Sequence, residues 1–507
     1  MLRTAAIKKL EEITLRNNII RVVSFALLLA TLLSAVACAN TTPETTPETT
    51  ASDVATENAP AATEAETTEI NAENILGKRD FGGETLTFYS RKYNGEWSSD
   101  LIAEQEDGTI LNDAIYKRNA KLSTLYSINF EQIESGKRDC LDDFTKVLNS
   151  GDNEFQAAYL GLSDAATAAQ RGLLLDMTAL DNINLEGEWW TQSLNKAWSI
   201  GNSQYFATGA ITTVDDRAIR TMFFNKDIVA EHSLKTVYDL VYDNEWVYEK
   251  FFEYVEIAKK DDGDGKPGLN DTYGACAQNT FGFMMTMASG EMLAAKDADD
   301  LPIIAAKETA TRFIDVVTYL TEKISGNNGV YMGDNEIIRD LFGNGQSLFY
   351  AEVLTHAQTM RVNYDLNFGI IPMPKYNAEQ ENYYQYSTGR NTTVICFPHT
   401  LKGDALDMGT FMVEAMAVES VNTVKPAYYE ICLKGRYADD AESAAMLDII
   451  TTSVATDYAE IYAWGSFHST IQSAISSGAP IASILKKNST AAEKVMKKTI
   501  DDFMKLK

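Results

Sequence analysis

The chain has 507 residues, 45% hydrophobic and 23% charged, the balance of an ordinary globular protein with room for two or three domains of about 100–200 residues. Its 44 Lys and Arg stand against 72 Asp and Glu, a formal net charge of -28. A surface so acidic repels phosphate backbones and anionic lipid heads, which argues against nucleic acid as a partner. It also disfavours anionic substrates unless a local basic pocket overrides the average.

The first 37 residues hold five basic residues (Arg3, Lys8, Lys9, Arg16, Arg21) against Glu11 and Glu12, which leaves -31 for the remainder. Residues 22–37 are sixteen uncharged residues ending in small ones, the layout of a secretory signal. As a helix the run reaches about 24 Å, short of the roughly 30 Å hydrocarbon core, so a signal at 1–37 is expected rather than a permanent span. Cys38 follows in Leu33-Ser34-Ala35-Val36-Ala37-Cys38, which resembles a bacterial lipobox with Ala35 where Leu is usual. That resemblance implies a lipidated Cys38, anchored to the outer face of the bacterial cytoplasmic membrane. The other reading is a secreted protein with an incidental cysteine. Residues 39–74 lack Lys, Arg and aromatics and are rich in Thr, Pro, Glu and Ala. Such a segment cannot bury enough apolar surface to offset chain entropy, so 38–77 reads as a solvated tether.

From about Lys78 short apolar strands alternate with longer helical patterns, as in an α/β fold. Strands are predicted at 86–89, 127–131, 156–160, 204–207, 222–225, 368–371 and 393–397. A helix near 110–126 carries Leu111, Ile115, Leu122 and Leu125 on one face, and Phe144, Val147 and Leu148 mark a second. Further helices are expected at 246–259, 307–324, 404–417 and 479–503. The cysteines Cys140, Cys276, Cys396 and Cys432 show no metal-ligand spacing and read as buried thiols, with one or two disulfides as the alternative.

Several segments in order are similar to family 1 extracellular solute-binding proteins of ABC transporters, in the lipid-anchored branch related to maltose-type binding proteins. They are Gly108–Asn119, Tyr205-Phe206-Ala207-Thr208-Gly209, Phe223-Phe224-Asn225-Lys226-Asp227, Asn244-Glu245-Trp246, Phe342–Gln346, Phe368–Pro372 and Pro426-Ala427-Tyr428-Tyr429. The resemblance covers roughly residues 80–505. It implies a type II fold of two α/β lobes with a hinge and an inter-lobe cleft. The chain would cross near 210–216, 388–394 and 440–447. Lobe one would be 78–212 with 393–440, and lobe two 216–390 with 445–507.

Sugars offer C–H faces to aromatic rings and hydroxyls to planar polar groups, so Trp, Tyr, Asp, Asn and Arg at a cleft suit carbohydrate. The aromatic candidates are Trp97, Trp189, Trp190, Trp464, Tyr159 and Tyr350, each weighed against plain core packing. Trp464 falls where the resemblance implies a stacking aromatic. Tyr350 is expected in a cleft-facing turn after the Gly343–Gly345 loop and Tyr159 at the end of a strand, while Trp246 reads as structural. Polar candidates near the crossings are Asp216 and Arg217, Arg390, and Asp164, each weighed against a surface ion pair or a helix cap.

Residues 260–271 resemble an EF-hand loop, with Asp262, Asp264 and Asp271 at positions 3, 5 and 12 and Gly265 at position 6. Lys260 at position 1 and Asp rather than Glu at position 12 depart from the pattern, although Asp261 would serve after a one-residue shift. Calcium is the one ion to consider, and no cofactor is required. The histidines His232, His356, His399 and His468 form no HExxH pair, and neither a P-loop nor a GxSxG elbow occurs. The expectation is a monomeric, non-enzymatic substrate-capturing lipoprotein that delivers a mono- or oligosaccharide to ABC permease subunits. A secreted glycoside hydrolase, whose two carboxylates need no motif, and a non-transporting sensor are the rivals. A peptide or polyamine ligand would keep the class and change the chemistry.

Overall fold

The computed structural model describes residues 70–507 except 94–96, 98, 152–153 and 435–440. The signal, Cys38 and most of the tether lie outside the described residues, as do part of the third expected crossing and the Cys432 side chain. One end of the tether is corrected. Residues 72–76 form a helical turn capped by the Asn71 side chain, with Ala72 buried and its N–H donating to Glu419 at 3.3 Å.

Among the described residues fourteen strands follow: β1 (Glu84–Ser90), β2 (Ile128–Glu134), β3 (Ala157–Gly161), β4 (Phe206–Ala207), β5 (Arg220–Asn225), β6 (Tyr273–Ala277), β7 (Ala295–Lys296), β8 (Pro302–Ile303), β9 (Val330–Met332), β10 (Ser347–Val353), β11 (Phe368–Ile371), β12 (Gln385–Tyr386), β13 (Thr393–Cys396) and β14 (Val454–Ala455). The first five-stranded sheet has the order β2-β1-β3-β13-β4, the second β11-β5-β10-β6-β9. In the first, β1 runs parallel to β2 and β3, whereas β13 is antiparallel to β3 and β4. In the second, β10, β6 and β9 are parallel and β5 is antiparallel to β10 and β11. The chain passes from the first sheet to the second between β4 and β5 and returns between β11 and β13.

Helices lie close to where apolar periodicity puts them, at Ile110–Tyr126, Tyr248–Ala258, Ala310–Ile324, Gly403–Ser420 and Ile481–Met504. Trp246 is fully buried just ahead of the second of these, its indole N–H donating to the Pro372 carbonyl at 2.8 Å. Strands β6, β9 and β10 escape the pattern. The β10 stretch Ser-Leu-Phe-Tyr-Ala-Glu-Val is buried throughout, and a run without alternation reads equally well as buried helix.

One buried cation ties distant parts of the first lobe together. Leu111, Ile115, Arg118 and Leu122 share a helix face, and Arg118 is fully buried on it. Its guanidinium donates to the carbonyls of Ile211 (3.2 Å), Asp100 (3.2 Å) and Leu101 (2.7 Å), to the Ser420 hydroxyl (3.0 Å) and to the Asn119 amide oxygen (2.9 Å). The β1 loop, the first crossing and the helix Gly403–Ser420 are thereby tied to one side chain. The C-terminal helix, expected in lobe two alone, also reaches the first lobe: Phe503 packs on Tyr205 with ring centroids 5.4 Å apart, and Gln170 donates to Asp502 at 2.9 Å.

Candidate ligand-binding site

In both sheets the parallel strands reverse their order around a central strand. From β1 the chain goes out to β2 on one side and comes back to β3 on the other, and β6, β9 and β10 repeat the pattern. Such a switch opens a crevice at the carboxyl ends of the two central strands, the usual ligand position in α/β sheets. In the first sheet that crevice is bordered by Arg91 after β1 and Gly161–Ser163 after β3. In the second it is bordered by Gln278 after β6 and Glu352 at the end of β10, where Arg220 pairs with Glu352 and reaches the Gln278 amide oxygen at 3.4 Å. Gly389 on the return crossing abuts the first of these crevices. Its carbonyl accepts the Ser163 N–H at 3.0 Å and its own N–H donates to Glu460 at 2.8 Å.

A cavity of about 620 Å³ opens between elements that follow the two sheets. Thr109, Asn112 and Ser99 line it from the first, Gln358, Thr359 and Asn363 from the second, and Arg217 from the first crossing. Tyr428 and Val362 supply apolar surface. The wall is thus rich in uncharged hydrogen-bonding groups, with a single guanidinium. The Asp107 carboxylate on the rim is turned back on its own loop, accepting the Thr109 N–H (2.8 Å) and hydroxyl (2.7 Å).

Behind the wall lies a buried polar layer that orients Arg217. Asp100, fully buried, accepts the Tyr159 phenol (3.2 Å), the Thr213 hydroxyl (2.9 Å) and the Thr213 N–H, and Arg217 stands 4.0 Å from it. Arg217 also donates to the Thr213 hydroxyl at 2.9 Å and lies over the Tyr428 ring at 5.7 Å. Asp215 and Asp216 on the same turn face Lys425 of the helix Val424–Lys434. Burial alone would push the Lys425 ammonium down, but the two carboxylates more than offset it and hold it up.

Of the binding residues proposed from the sequence, Arg217 alone lines the cavity. Tyr159 lies in the middle of β3, wholly buried beneath the Asp100 layer, with the Tyr93 ring 5.9 Å away. Asp216 is engaged by Lys425. Asp164, in the first turn of the helix Leu162–Gln170, accepts the Cys140 N–H at 2.7 Å just ahead of the helix Leu141–Ser150. Trp190 and Trp189 are both buried, donating their indole N–H groups to Glu414 at 3.0 and 2.7 Å. Tyr350 is corrected: it sits inside β10, not in a turn, stacked between Phe342 and His356 and sharing a 2.5 Å hydrogen bond with His356. Arg390 is exposed and paired with Asp139 at 3.0 Å. Trp464 is a core residue, its ring nearly parallel to those of Tyr458 and Tyr462 and its indole N–H bonded to the Thr499 hydroxyl at 3.1 Å. Among residues the sequence reading missed, Arg118 carried a signal, a charge at a core-facing helix position. Asp100, Asn112, Gln358 and Asn363 carried none, since only the tertiary fold brings them together.

In the acidic turn the carboxylates that converge are Asp261, Asp262 and Asp264, exposed and within 4.8 Å of one another. Asp271 is turned inward, accepting the N–H groups of Asp262 (2.9 Å) and Gly268 (2.7 Å). A calcium ion wants six to eight oxygens, and with Lys260 at position 1 and Asp271 spent on loop amides the turn does not complete an EF-hand set. Cys140, Cys276 and Cys396 are buried thiols without a disulfide.

The profile of the bacterial extracellular solute-binding protein family matches residues 120–419, more than half of the chain. No curated protein matches it. Among solved structures it aligns with the galacto-N-biose/lacto-N-biose I-binding protein of a Bifidobacterium longum ABC transporter, in complex with lacto-N-biose (TM-score 0.55, 12% identity, covering 83% of this chain and 99% of that one). A sugar transporter from Rhizobium etli in an open conformation gives a TM-score of 0.52 at 13% identity, with 83% and 99% covered. The maltose/maltodextrin-binding domain from Bdellovibrio bacteriovorus bound to maltotriose gives 0.50 at 13%, with 82% and 100% covered. At these identities the likeness establishes the two-lobed fold of periplasmic binding proteins and nothing finer. The family profile settles the class: this chain is a bacterial extracellular solute-binding protein.

Proposed function

We propose that the protein captures a mono- or oligosaccharide between its lobes, is held at the outer face of the cytoplasmic membrane through Cys38, and hands its ligand unaltered to the permease subunits of an ABC importer. The observation that carries this reading is the cavity whose two sides come from different lobes and present Ser, Thr, Asn and Gln side chains, the partners that vicinal hydroxyls need. The binding of lacto-N-biose and maltotriose by proteins of the same fold supports it. Lobes bounded near 78–212 with 393–440 and 216–390 with 445–507 would close about the crossings. Ligand drives closure only in so far as it binds the closed state better, which requires contacts from Asn112 and Thr109 on one side and Gln358 and Asn363 on the other.

The test is thermal unfolding of the mature chain against a panel of sugars, with peptides and polyamines as controls. A ligand at about 100 times its Kd adds about 2.7 kcal/mol. Stabilisation by a sugar that is recovered intact supports capture. Stabilisation by peptides or polyamines alone overturns the sugar assignment, and chemical alteration of the sugar makes the protein an enzyme.

A further inference from the structure

The crevice of the first lobe carries a charge opposite to that of the chain as a whole. Arg91, directly after β1, is only 3% exposed. Its guanidinium donates to the Arg390 carbonyl at 3.0 Å and the Thr393 hydroxyl at 3.5 Å. Beside it Arg138, half-buried, donates to the Asn391 amide oxygen and to the Arg390 carbonyl at 3.4 Å. Every one of these partners is neutral. Among the described residues neither guanidinium is paired with a carboxylate, and the nearby Asp139 is taken by Arg390. Together with Lys92 the two arginines border a niche of about 50 Å³ whose remaining walls are Tyr93, Trp97, Val214, Asn391 and Thr393. That lining holds three cations and no anion, in a protein of net charge -28. Burial first, and then the charges of Arg91 and Arg390, push Arg138 below the usual guanidinium range, with Asp139 pulling the other way.

A buried guanidinium without a carboxylate partner, as at Arg91, is costly, and a niche that sets the half-buried Arg138 and Lys92 beside it favours an anion. The niche is small beside the cavity of about 620 Å³: at about 10–15 Å³ of such space per water it holds roughly three to five waters, a fit for one charged substituent of a ligand rather than for an oligosaccharide. Trp97 is the indole among its lining residues, and an indole suits the C–H face of a sugar ring. The niche and the large cavity share the β1 loop and the first crossing as borders, through Trp97 and Ser99 and through Val214 and Arg217. We propose that Arg91 and Arg138 clamp the carboxylate of an acidic sugar, so that the captured ligand is a uronic-acid-containing saccharide with its ring against Trp97. This rests on the carbohydrate-capture reading above and narrows it to one substrate class.

Calorimetric titration of the mature protein with galacturonate and glucuronate oligomers, their neutral galactose and glucose counterparts, and sulfated and phosphorylated sugars tests it. The expected result is binding of uronides, at least about tenfold weaker binding of the neutral counterparts, and affinity that falls as salt rises. Arg138→Gln, at a half-exposed position that leaves folding intact, should lower uronide affinity about 10- to 100-fold. Arg91→Lys keeps the charge but loses the two-pronged geometry and should lower it as well. Neutral sugars bound as well as uronides, with Arg138→Gln silent, overturn the acidic-sugar assignment and leave carbohydrate capture standing. Preference for sulfated or phosphorylated sugars over uronides overturns the carboxylate. Binding of no sugar in any charge state overturns both readings.

Discussion

The Glu460 carboxylate accepts the Gly389 N–H at 2.8 Å, and a methyl group placed on Gly389 would stand 3.1 Å from that carboxylate and 2.7 Å from the Ser163 hydroxyl. The return crossing is therefore pinned between a residue that follows β3 of the first sheet and one that follows β14. Gly389→Ala should cost about 1–3 kcal/mol, because the Ser163 hydroxyl and the Glu460 carboxylate, the latter bonded to the Gly389 N–H, must shift to admit a single carbon. Urea unfolding of the variant measures it, and a change of under about 0.5 kcal/mol would show that the junction yields freely.

Glu414 carries a pH prediction. Burial pushes its carboxyl up to about 7, against the stabilising hydrogen bonds from Asn184, Trp189 and Trp190. The folded state then holds a proton that the unfolded state releases near 4.5, so this group favours folding below about pH 4.5 and the benefit is lost as pH rises through 7. The loss is up to about 3 kcal/mol. Burial likewise raises Asp457 to about 6 and Glu460 to about 7, with the same sign. The melting temperature should thus fall between pH 5 and pH 7.5, and Glu414→Gln should flatten that fall. Equal slopes for the variant and the parent protein would refute the assignment.

Arg118→Lys should be severe although it keeps the charge. An ammonium cannot reach five acceptors spread over a fork, and the carbonyls of Ile211, Asp100 and Leu101 would lose their donor in a buried place. We expect a loss of about 3–5 kcal/mol in denaturant unfolding. A loss below about 1 kcal/mol would mean that water replaces the guanidinium.

Trp464→Ala separates core from site. A fully buried indole costs about 3–5 kcal/mol on removal. Sugar affinity measured at a temperature where the variant remains folded should stay within about twofold. A tenfold loss of affinity without loss of stability would return Trp464 to the cleft.

Asp271→Ala should destabilise by about 1–3 kcal/mol with or without calcium, since its oxygens serve two amides of its own loop. A loss seen in calcium alone would make Asp271 a metal ligand after all.

The lobes were legible in the sequence and the site was not, for different physical reasons. The helix Ile110–Tyr126 follows from the spacing of Leu111, Ile115 and Leu122, and β11 and β13 from short apolar runs bounded by turns. These are local patterns. Depth is not local: Trp189 and Trp190 look like sugar platforms until Glu414, more than two hundred residues away, is seen to hold both indoles. Tyr159 and Tyr350 are misplaced for the same reason, because a strand written wholly in apolar letters does not say which face meets solvent. The niche combines both cases. Arg91 and Arg138 are ordinary surface residues by sequence, and the overall charge of -28 points away from an anionic ligand until folding gathers the cations beside Asn391.

The place of β13 has a consequence for biogenesis. It lies between β3 and β4, with Leu160 facing Val394, so the first sheet cannot close until residues 393–396 have emerged. Through most of synthesis β3 keeps an unpaired edge, and the lobe begun first is finished after the second sheet is complete. Contacts this distant in the chain fold slowly. For an exported protein that delay is an advantage, since a chain that stays open until nearly four-fifths of it has been made is one that a translocase can still thread.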